Sequence, residues 1–188
     1  MTRQQLEDLF WRATVICLGL DPDSEDEAVQ KRVRISWPTV DAEDGIVTTD
    51  WKRDENVVFL RISPGYDTYG TLHDVDHVYD AQTDTQKEVV RYHRSHRILW
   101  VCYGPDADND ADTLRIGMFR DSIRAYLNEH NVAIMPHLRD PVRMPEQDDS
   151  GDWWERCDLE ADFYQLVSRE YSEDVIDQLP DINIQLRR

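Results

Sequence analysis

The sequence predicts an α+β fold, in which an antiparallel or mixed β-sheet with two long strands carries helices packed on one side. Residues 86–103 alternate between two faces at period two, and a second alternating stretch begins at Trp153 and runs to about Arg169. Several predicted strands follow one another without a helix between them, which is typical of antiparallel or mixed sheets rather than of parallel α/β folds.

The first helix is predicted over residues 3–18. Thr2 and Gln5 have the spacing of a capping box, apolar residues then recur at helical intervals, and Gly19 follows as a helix-ending glycine. A second helix is predicted after the acids of residues 106–112, ending near residues 128–131. Short helical turns are expected at Ser24 and around 173–179, and shorter strands at 33–37, 56–62, 132–135 and 181–186.

The strand predicted at 86–103 is about three times the usual strand length. Its second half is apolar on both faces, which indicates the centre of a sheet, whereas its first half is polar. We therefore expect the first half to project beyond the core of the domain. Exposed strand edges favour pairing, so this half needs a partner chain or a hairpin mate.

Length and composition predict a single domain over residues 1–188, with exposed loops near 66–84 and 136–152. The chain is 40% hydrophobic and has six Trp, which excludes wholesale disorder. No apolar run approaches the roughly 20 residues that cross a bilayer, so no membrane association is expected. The first residues, 1–8, are polar and do not suggest a secretory signal.

Acidic residues dominate the charge, with 27 Asp and 12 Glu against 18 Arg and three Lys, for a formal net charge of −18. Such a chain does not hold nucleic acid by neutralising phosphates. Two interpretations of the bias remain open. Many Asp and few Lys suit a saline cytoplasm, in which salt screens self-repulsion, and a GC-rich genome favours Arg over Lys by coding alone.

The three cysteines, Cys17, Cys102 and Cys157, stand far apart in apolar surroundings. The count is odd and no C-x-x-C occurs, so we expect three free buried thiols rather than disulfides or a zinc site.

Candidate chemistry is sparse. His73 and His77 would share a helix face, but their segment has no helical stripe, and in an extended chain they lie about 13 Å apart. Asp158, Glu160 and Asp162 share one strand face and resemble a two-metal cluster, although a solvent-facing or channel-facing acidic stripe is favoured. No P-loop, G-x-G-x-x-G or G-x-S-x-G motif is present. We therefore expect no catalytic, metal or cofactor site.

Four segments, taken in order, resemble the neck terminator (tail terminator) proteins of tailed phages. They are Leu9-Phe10-Trp11-Arg12-Ala13-Thr14, Val58-Phe59-Leu60-Arg61-Ile62-Ser63-Pro64-Gly65, Trp100-Val101-Cys102-Tyr103-Gly104-Pro105 and Trp153-Trp154-Glu155-Arg156-Cys157-Asp158-Leu159. The resemblance covers nearly the whole chain.

The resemblance implies an α+β structural protein of the virion without enzymatic activity or cofactor. It implies a homo-oligomeric, hexameric ring at the head-proximal end of the tail tube, which ends tube polymerisation and joins the tail to the head–tail connector or stopper protein. Genome DNA passes through the lumen without specific binding. The chain is expected at the neck of the virion, after synthesis in the host cytoplasm.

Within such a ring, the polar parts of the long strands are expected to meet neighbouring subunits. The candidate interface residues are Arg94, His96, Arg97, Trp153, Trp154 and Arg156. Arg pairs well with carboxylates across an interface, and Trp is enriched at interface hot spots. The stripe of Asp158, Glu160 and Asp162 is expected to face solvent or the lumen.

Three other hypotheses remain. A head-completion or connector adaptor protein would contact the portal rather than the tube. A metal-dependent hydrolase would use the histidines at 73 and 77 with the acids at 158–162. A small acidic binding module would act as a DNA mimic in the groove of a basic partner.

Overall fold

The computed structural model describes residues 1–35, 51–67, 70, 72–80, 82, 85–147 and 151–173. Within these ranges the helices are α1 (Arg3–Cys17), α2 (Glu27–Arg32), α3 (Ala107–Gly117) and α4 (Asp121–Glu129). The strands are β1 (Val33–Ile35), β2 (Val57–Pro64), β3 (His73–Asp80), β4 (Thr85–Tyr103), β5 (Val132–Ile134), β6 (Val142–Arg143), β7 (Glu146–Gln147), β8 (Trp153–Trp154) and β9 (Arg156–Glu173).

Seven of the nine described strands form one sheet in the order β1-β2-β4-β9-β5, with β3 paired to β4 and β6 paired to β9. The other two, β7 and β8, pair with each other. β1 and β2 are parallel and the other pairs are antiparallel, so the sheet is mixed, as the sequence predicts. The two long strands lie side by side, from Gln86 opposite Glu173 to Tyr103 opposite Arg156. The predicted α+β class and the two long strands are confirmed.

Helix α1 begins as its sequence predicts. Thr2 accepts a hydrogen bond from the Gln5 backbone, and the Gln5 side chain accepts one from the Thr2 backbone. This capping box satisfies two N–H groups that an open helix end leaves unpaired. The apolar stripe of α1 is buried, and Gly19 follows the helix with a positive φ of 77°.

The main core lies between the sheet and the helices. The residues of β4 and β9 that face it include Ile98, Trp100, Leu159 and Phe163, all of which are buried. The Phe163 ring meets the ring of Phe10 from α1 edge-on, at 4.7 Å between centroids. Because residues from α1, α2, α3 and α4 all pack against this cluster, the helices cover one face of the sheet, here called the helix side.

A smaller aromatic cluster covers part of the opposite face. Trp51 packs on Phe59, at 4.9 Å between ring centroids, and on Tyr103, at 5.7 Å. Val101 is buried in the same cluster, and Trp154 is partly buried against it. Both faces of the central strands are therefore apolar near this end of the sheet, which explains why the second half of β4 is apolar on both faces in the sequence.

The interpretation of 66–84 as an exposed loop is wrong for its middle part, because His73–Asp80 forms strand β3 and pairs with the first half of β4. The segment is rich in Asp, which is depleted in strands. Pairing with a long neighbouring strand overrides that preference, since it satisfies the backbone groups on one edge of β4. The residues of β3 are nonetheless mostly exposed, as expected.

The single helix predicted after residue 106 is two helices. At the end of α3, a Cβ on Gly117 would lie 2.8 Å from Cys17 Sγ, so the close approach of α1 requires glycine there. Arg120 is extended, with ψ of 139°, and precedes α4. The apolar stripe continues through the break, which is why periodicity alone predicts one helix.

Two further boundaries differ from the prediction. Trp153 and Trp154 do not open the long strand but form β8, which pairs with β7 as a separate two-stranded sheet. The predicted loop at 136–152 thus contains the short strands β6 and β7, and its described residues remain mostly exposed. Helix α2 begins at Glu27, after Asp26, whose carboxylate accepts a hydrogen bond from the Ala28 backbone, whereas the sequence predicts a helical turn that starts at Ser24.

The strand predicted at 181–186 and most of the turn at 173–179 lie outside the described residues, as do residues 36–50. Among the helices that are described, none has the length and apolar character that crossing a bilayer requires.

Candidate functional site

The outer parts of three strands form a projecting ribbon, here called the arm, made of β3, residues 85–92 of β4 and residues 167–173 of β9. His73 lies opposite Tyr92, which in turn lies opposite Val167. None of the arm residues belongs to either apolar core, and Val89 is the only buried one among those described. The predicted projection of the first half of β4 is therefore present, and β3 and β9 are its mates within the same chain.

The arm exposes large apolar side chains on both of its faces. Val75, Tyr79 and Tyr171 point to the helix side, although no described helix covers them, and each is about half exposed. Val78 of β3 lies opposite Lys87, points to the opposite face and is 48% exposed. Exposed apolar groups that cluster on a projecting element are typical of a surface that contacts another molecule.

The predicted acidic stripe lies on the face opposite the helices, as strand alternation requires. Asp158 pairs with Arg156 through two hydrogen bonds of 2.8 Å. Glu160 pairs with Arg139 at 3.2 Å, and Asp162 pairs with Arg97 at 2.9 Å.

Each acid of the stripe thus has an arginine of its own protomer. The pKa of the Arg97 guanidinium is raised by the hydrogen bond that it donates to Asp162, and the pKa of Arg156 is raised by the hydrogen bond that it donates to Asp158. The face opposite the helices therefore carries a set of ion pairs rather than unpaired carboxylates. These arginines are already bound to carboxylates, which leaves them less available to bind phosphate.

Arg156 is the best anchored of the predicted interface residues. Besides Asp158, it reaches Glu146 of β7 at 3.0 Å, and Tyr103 donates to the same Glu146 carboxylate at 2.9 Å. Burial of Tyr103 raises the pKa of its hydroxyl. The network ties the two-stranded β7–β8 sheet to the end of the long strands.

The other predicted interface residues lie in different surroundings. Arg94 is exposed and lies over the ring of Tyr92, with its guanidinium carbon 5.9 Å from the centroid. Trp153 is 60% exposed, whereas Trp154 is partly buried against Trp51. Of these residues, Arg94 and Trp153 present the most surface to a neighbour.

His96 is not on the surface, since it is only 7% exposed. Its Nε2 lies 3.0 Å from Gln165 Oε1, and a neutral ring protonated at Nε2 donates this bond. Burial lowers the pKa of His96, and the nearby Arg94 adds to the effect. The sequence pattern does not indicate this burial, because a histidine in a polar stretch of strand is typical of an exposed position.

A cavity of about 580 Å³ opens at the root of the arm, between the N-terminus of α1 and the helix side of β4. Its walls include Leu6, Ile62 and Tyr92, with His96 and Gln165 at its base. The Ser95 hydroxyl also borders it and has no hydrogen-bond partner among the described residues. Periodicity did not indicate this cavity, because it forms where β2 ends and β3 has not yet begun on the same edge of β4.

The candidate metal ligands are not brought together. His73 and His77 lie on β3, opposite Tyr92 and Glu88, so the extended separation expected between them holds. In the described part of the chain, no three His, Cys, Asp or Glu side chains are grouped as metal ligands.

The three cysteines are free and buried, as predicted. Burial raises the pKa of the Cys17 thiol to about 12 and that of Cys157 to about 11, so both are protonated and unreactive at neutral pH. Cys102 and Cys157 are cross-strand neighbours on the helix side, where they pack in the main core.

Comparison with known proteins gives one family. The family model described as phage neck terminator protein matches residues 4–187, nearly the whole chain. A search of curated proteins finds no match. Because the match covers nearly the whole chain, the chain belongs to the phage neck terminator protein family.

Proposed function

We propose that this neck protein forms a hexameric ring at the head-proximal end of the tail tube. In this proposal the ring ends tube polymerisation and joins the tail to the head–tail connector or stopper protein. The family assignment supports the location in the virion neck and the structural role. Synthesis in the host cytoplasm before assembly is part of the same proposal.

The observation that carries the ring is the arm. It leaves its own core, exposes apolar side chains on both faces, and pairs as a three-stranded ribbon within one chain. A projecting ribbon of this kind is suited to contact a different surface on the next subunit. Contacts between two unlike surfaces generate a ring when the rotation between subunits closes.

The ion pairs on the face opposite the helices support passage of DNA without specific binding. In a ring whose lumen is lined by the face opposite the helices, the wall would present Arg97, Arg139 and Arg156, each bound to a carboxylate. Neutralising phosphates with free cations is what gives proteins affinity for DNA. Engaged arginines and a net charge of −18 per copy keep that affinity low.

No catalytic role is proposed, and no cofactor or metal is required. The residues that would serve a hydrolase, His73 and His77 with the acids of β9, lie in separate parts of the sheet. The carboxylates Asp158, Glu160 and Asp162 are each held by an arginine, which competes with a metal ion for them.

Removal of the protein from the virus tests the terminator role and separates it from the role of connector adaptor. We expect particles that lack it to make unjoined tails whose tubes exceed the wild-type length, because nothing ends polymerisation. Unjoined tails of wild-type length would instead indicate an adaptor. Joined particles with normal tails would contradict the proposal. Electron microscopy of the lysate measures both tube length and joining.

A further inference from the structure

Within the described residues, the outer edge of β9 is open along the arm. β5 pairs with β9 only from Ile134 opposite Phe163 to Val132 opposite Gln165. The last bond on that side runs from the Leu166 N–H to the Asn131 carbonyl, at 2.9 Å. Beyond it, no strand in the described part of the chain lies beside residues 167–172.

The direction of the open backbone groups follows from that last bond. In a regular strand, the N–H and C=O of alternate residues point to the same edge. Leu166 donates away from β4, and the register with β4 is unbroken to Glu173. Ser168, Glu170 and Ser172 therefore direct their N–H and C=O groups outward, where they are ready to pair with another strand.

The edge lacks two of the features that keep edge strands apart. The stretch 167–172 contains no proline and makes no bulge in its register with β4. Its side chains from Ser168 to Ser172 are exposed and include the charges of Arg169 and Glu170, and Tyr171 presents a half-exposed ring on the helix side. A regular edge beside exposed apolar side chains is suited to the addition of an extended segment.

We propose that this edge accepts residues 181–186 of a neighbouring copy as an added strand. The inference rests on the proposed ring. Residues 181–186 lie outside the described residues, and their sequence alternates Ile182, Ile184 and Leu186 with polar residues. Six residues span about 20 Å in a strand, which equals the length of the open stretch 167–172.

The proposed ring is the reason to assign the donor strand to a neighbouring copy rather than to the same chain. β9 ends at Glu173, level with Gln86 at the outer end of the arm, and 15 residues follow it in the sequence. Residues 174–188, the C-terminal segment, thus follow the end of the arm that lies away from the helices of the same chain. The C-terminal segment and the β9 edge are unlike surfaces. A contact between them is therefore heterologous and can repeat around a ring.

Two variants that each add one cysteine to the three native ones, Ser168→Cys and Asn183→Cys, test the contact. Each is mixed with the other and assembled on purified tail tubes, and the complexes are oxidised and run on a denaturing gel. We expect a band at the mass of two chains in the mixture and none with either variant alone. The wild-type protein is the control, because its own cysteines are buried.

The outcomes separate the contact from the ring itself. Rings on the tubes without the two-chain band would overturn the strand addition and leave the proposed function standing. A cross-link within one chain of the double variant Ser168→Cys/Asn183→Cys, at the mass of one chain and without the two-chain band, would assign the edge to the protein's own C-terminal segment and overturn the proposal. Absence of rings in the wild-type control would contradict the proposed function first.

A proline at Glu170 gives an independent test. Glu170→Pro removes an N–H that points outward and that β4 does not use, so the sheet within the protomer keeps its hydrogen bonds. We expect this variant to fold, with a circular dichroism spectrum like that of the wild type, and to lose ring formation by at least tenfold. Glu170→Ala keeps the N–H and is expected to assemble. Equal assembly of the two variants would overturn the proposal.

Discussion

Arg97 and Asp162 face each other across the two long strands, with the guanidinium Nε 2.9 Å from the carboxylate Oδ1. The pair lies near the middle of an unbroken register of 18 residues between β4 and β9. One edge of β4 is occupied by β9, and the other by β2 and β3 in turn. Both edges of β4 are therefore occupied over most of its length, and backbone pairing with another copy would have to use an outer strand.

Two of the three arginines on the face opposite the helices, Arg97 and Arg156, are expected to differ in their contribution to stability. Arg97→Ala removes a pair that is more than 30% exposed on both sides, and we expect a loss of about 0.5 kcal/mol. Arg156→Ala removes two hydrogen bonds from Asp158, which is only 14% exposed, and we expect a loss of about 2 kcal/mol. Urea unfolding measures both. Equal losses would contradict the description of Arg156 as the anchor of this face.

Thr14 is expected to be sensitive to loss of its hydroxyl. Its Oγ1 accepts a hydrogen bond from the buried Trp100 indole at 2.9 Å and donates to the Phe10 carbonyl at 2.7 Å. Thr14→Val keeps the shape but leaves the indole N–H unpaired, which costs about 1–3 kcal/mol. Thr14→Ser keeps the hydroxyl and serves as the control. If thermal unfolding shows the valine variant to be as stable as the serine variant, the bond is not important.

Gly104 is expected to tolerate no side chain. Its φ is +108°, and a Cβ there would lie 2.5 Å from the Glu55 carbonyl oxygen. Gly19 has a φ of +77° with nothing near an added Cβ. Gly19→Ala is therefore a matched control that carries the cost of the dihedral angle alone, about 1 kcal/mol. Gly104→Ala should cost clearly more in a denaturant titration, and similar costs would show that the contact with Glu55 yields easily.

The stability of the fold is expected to decrease as the pH falls, because His96 then takes up a proton more readily in the unfolded chain than in the folded one. Because burial lowers its pKa in the folded state, the folded protein binds fewer protons at this site than the unfolded chain. The stabilisation is complete above the unfolded pKa of about 6.5 and is lost as the pH falls from there through the lowered folded pKa.

The His96 contribution is measured by thermal unfolding of the wild type and of His96→Gln between pH 7.5 and pH 5, values chosen to span the unfolded pKa. The glutamine variant should show a smaller decrease in unfolding temperature over this range. An equal decrease in both proteins would place the pH dependence on the carboxylates instead.

Local sequence patterns predicted α1 and both long strands, because their buried stripes are long and regular. They did not predict β3, since the Asp-rich segment 73–80 becomes a strand only through pairing with β4, a tertiary effect that no local propensity carries. The break between α3 and α4 was missed for a related reason. Gly117 is required by contact with Cys17, a residue 100 positions earlier in the chain.

The candidate surface was predicted in part. Alternation correctly placed Asp158, Glu160 and Asp162 on one face and Cys157, Leu159, Ala161 and Phe163 on the other. The partners of those acids could not be predicted, because Arg139 and Arg97 come from other elements that the register brings near. The open edge of β9 was also beyond the sequence, since an edge is defined by which strands end beside it.

A reconstruction of the virion neck by electron cryomicroscopy tests the central claim most directly. The account predicts six copies of this chain in one ring at the end of the tail tube. It predicts that the face bearing Asp158, Glu160 and Asp162 lines the channel and that the helices lie outside. A neck without this chain, or a ring whose helices line the channel, would contradict it.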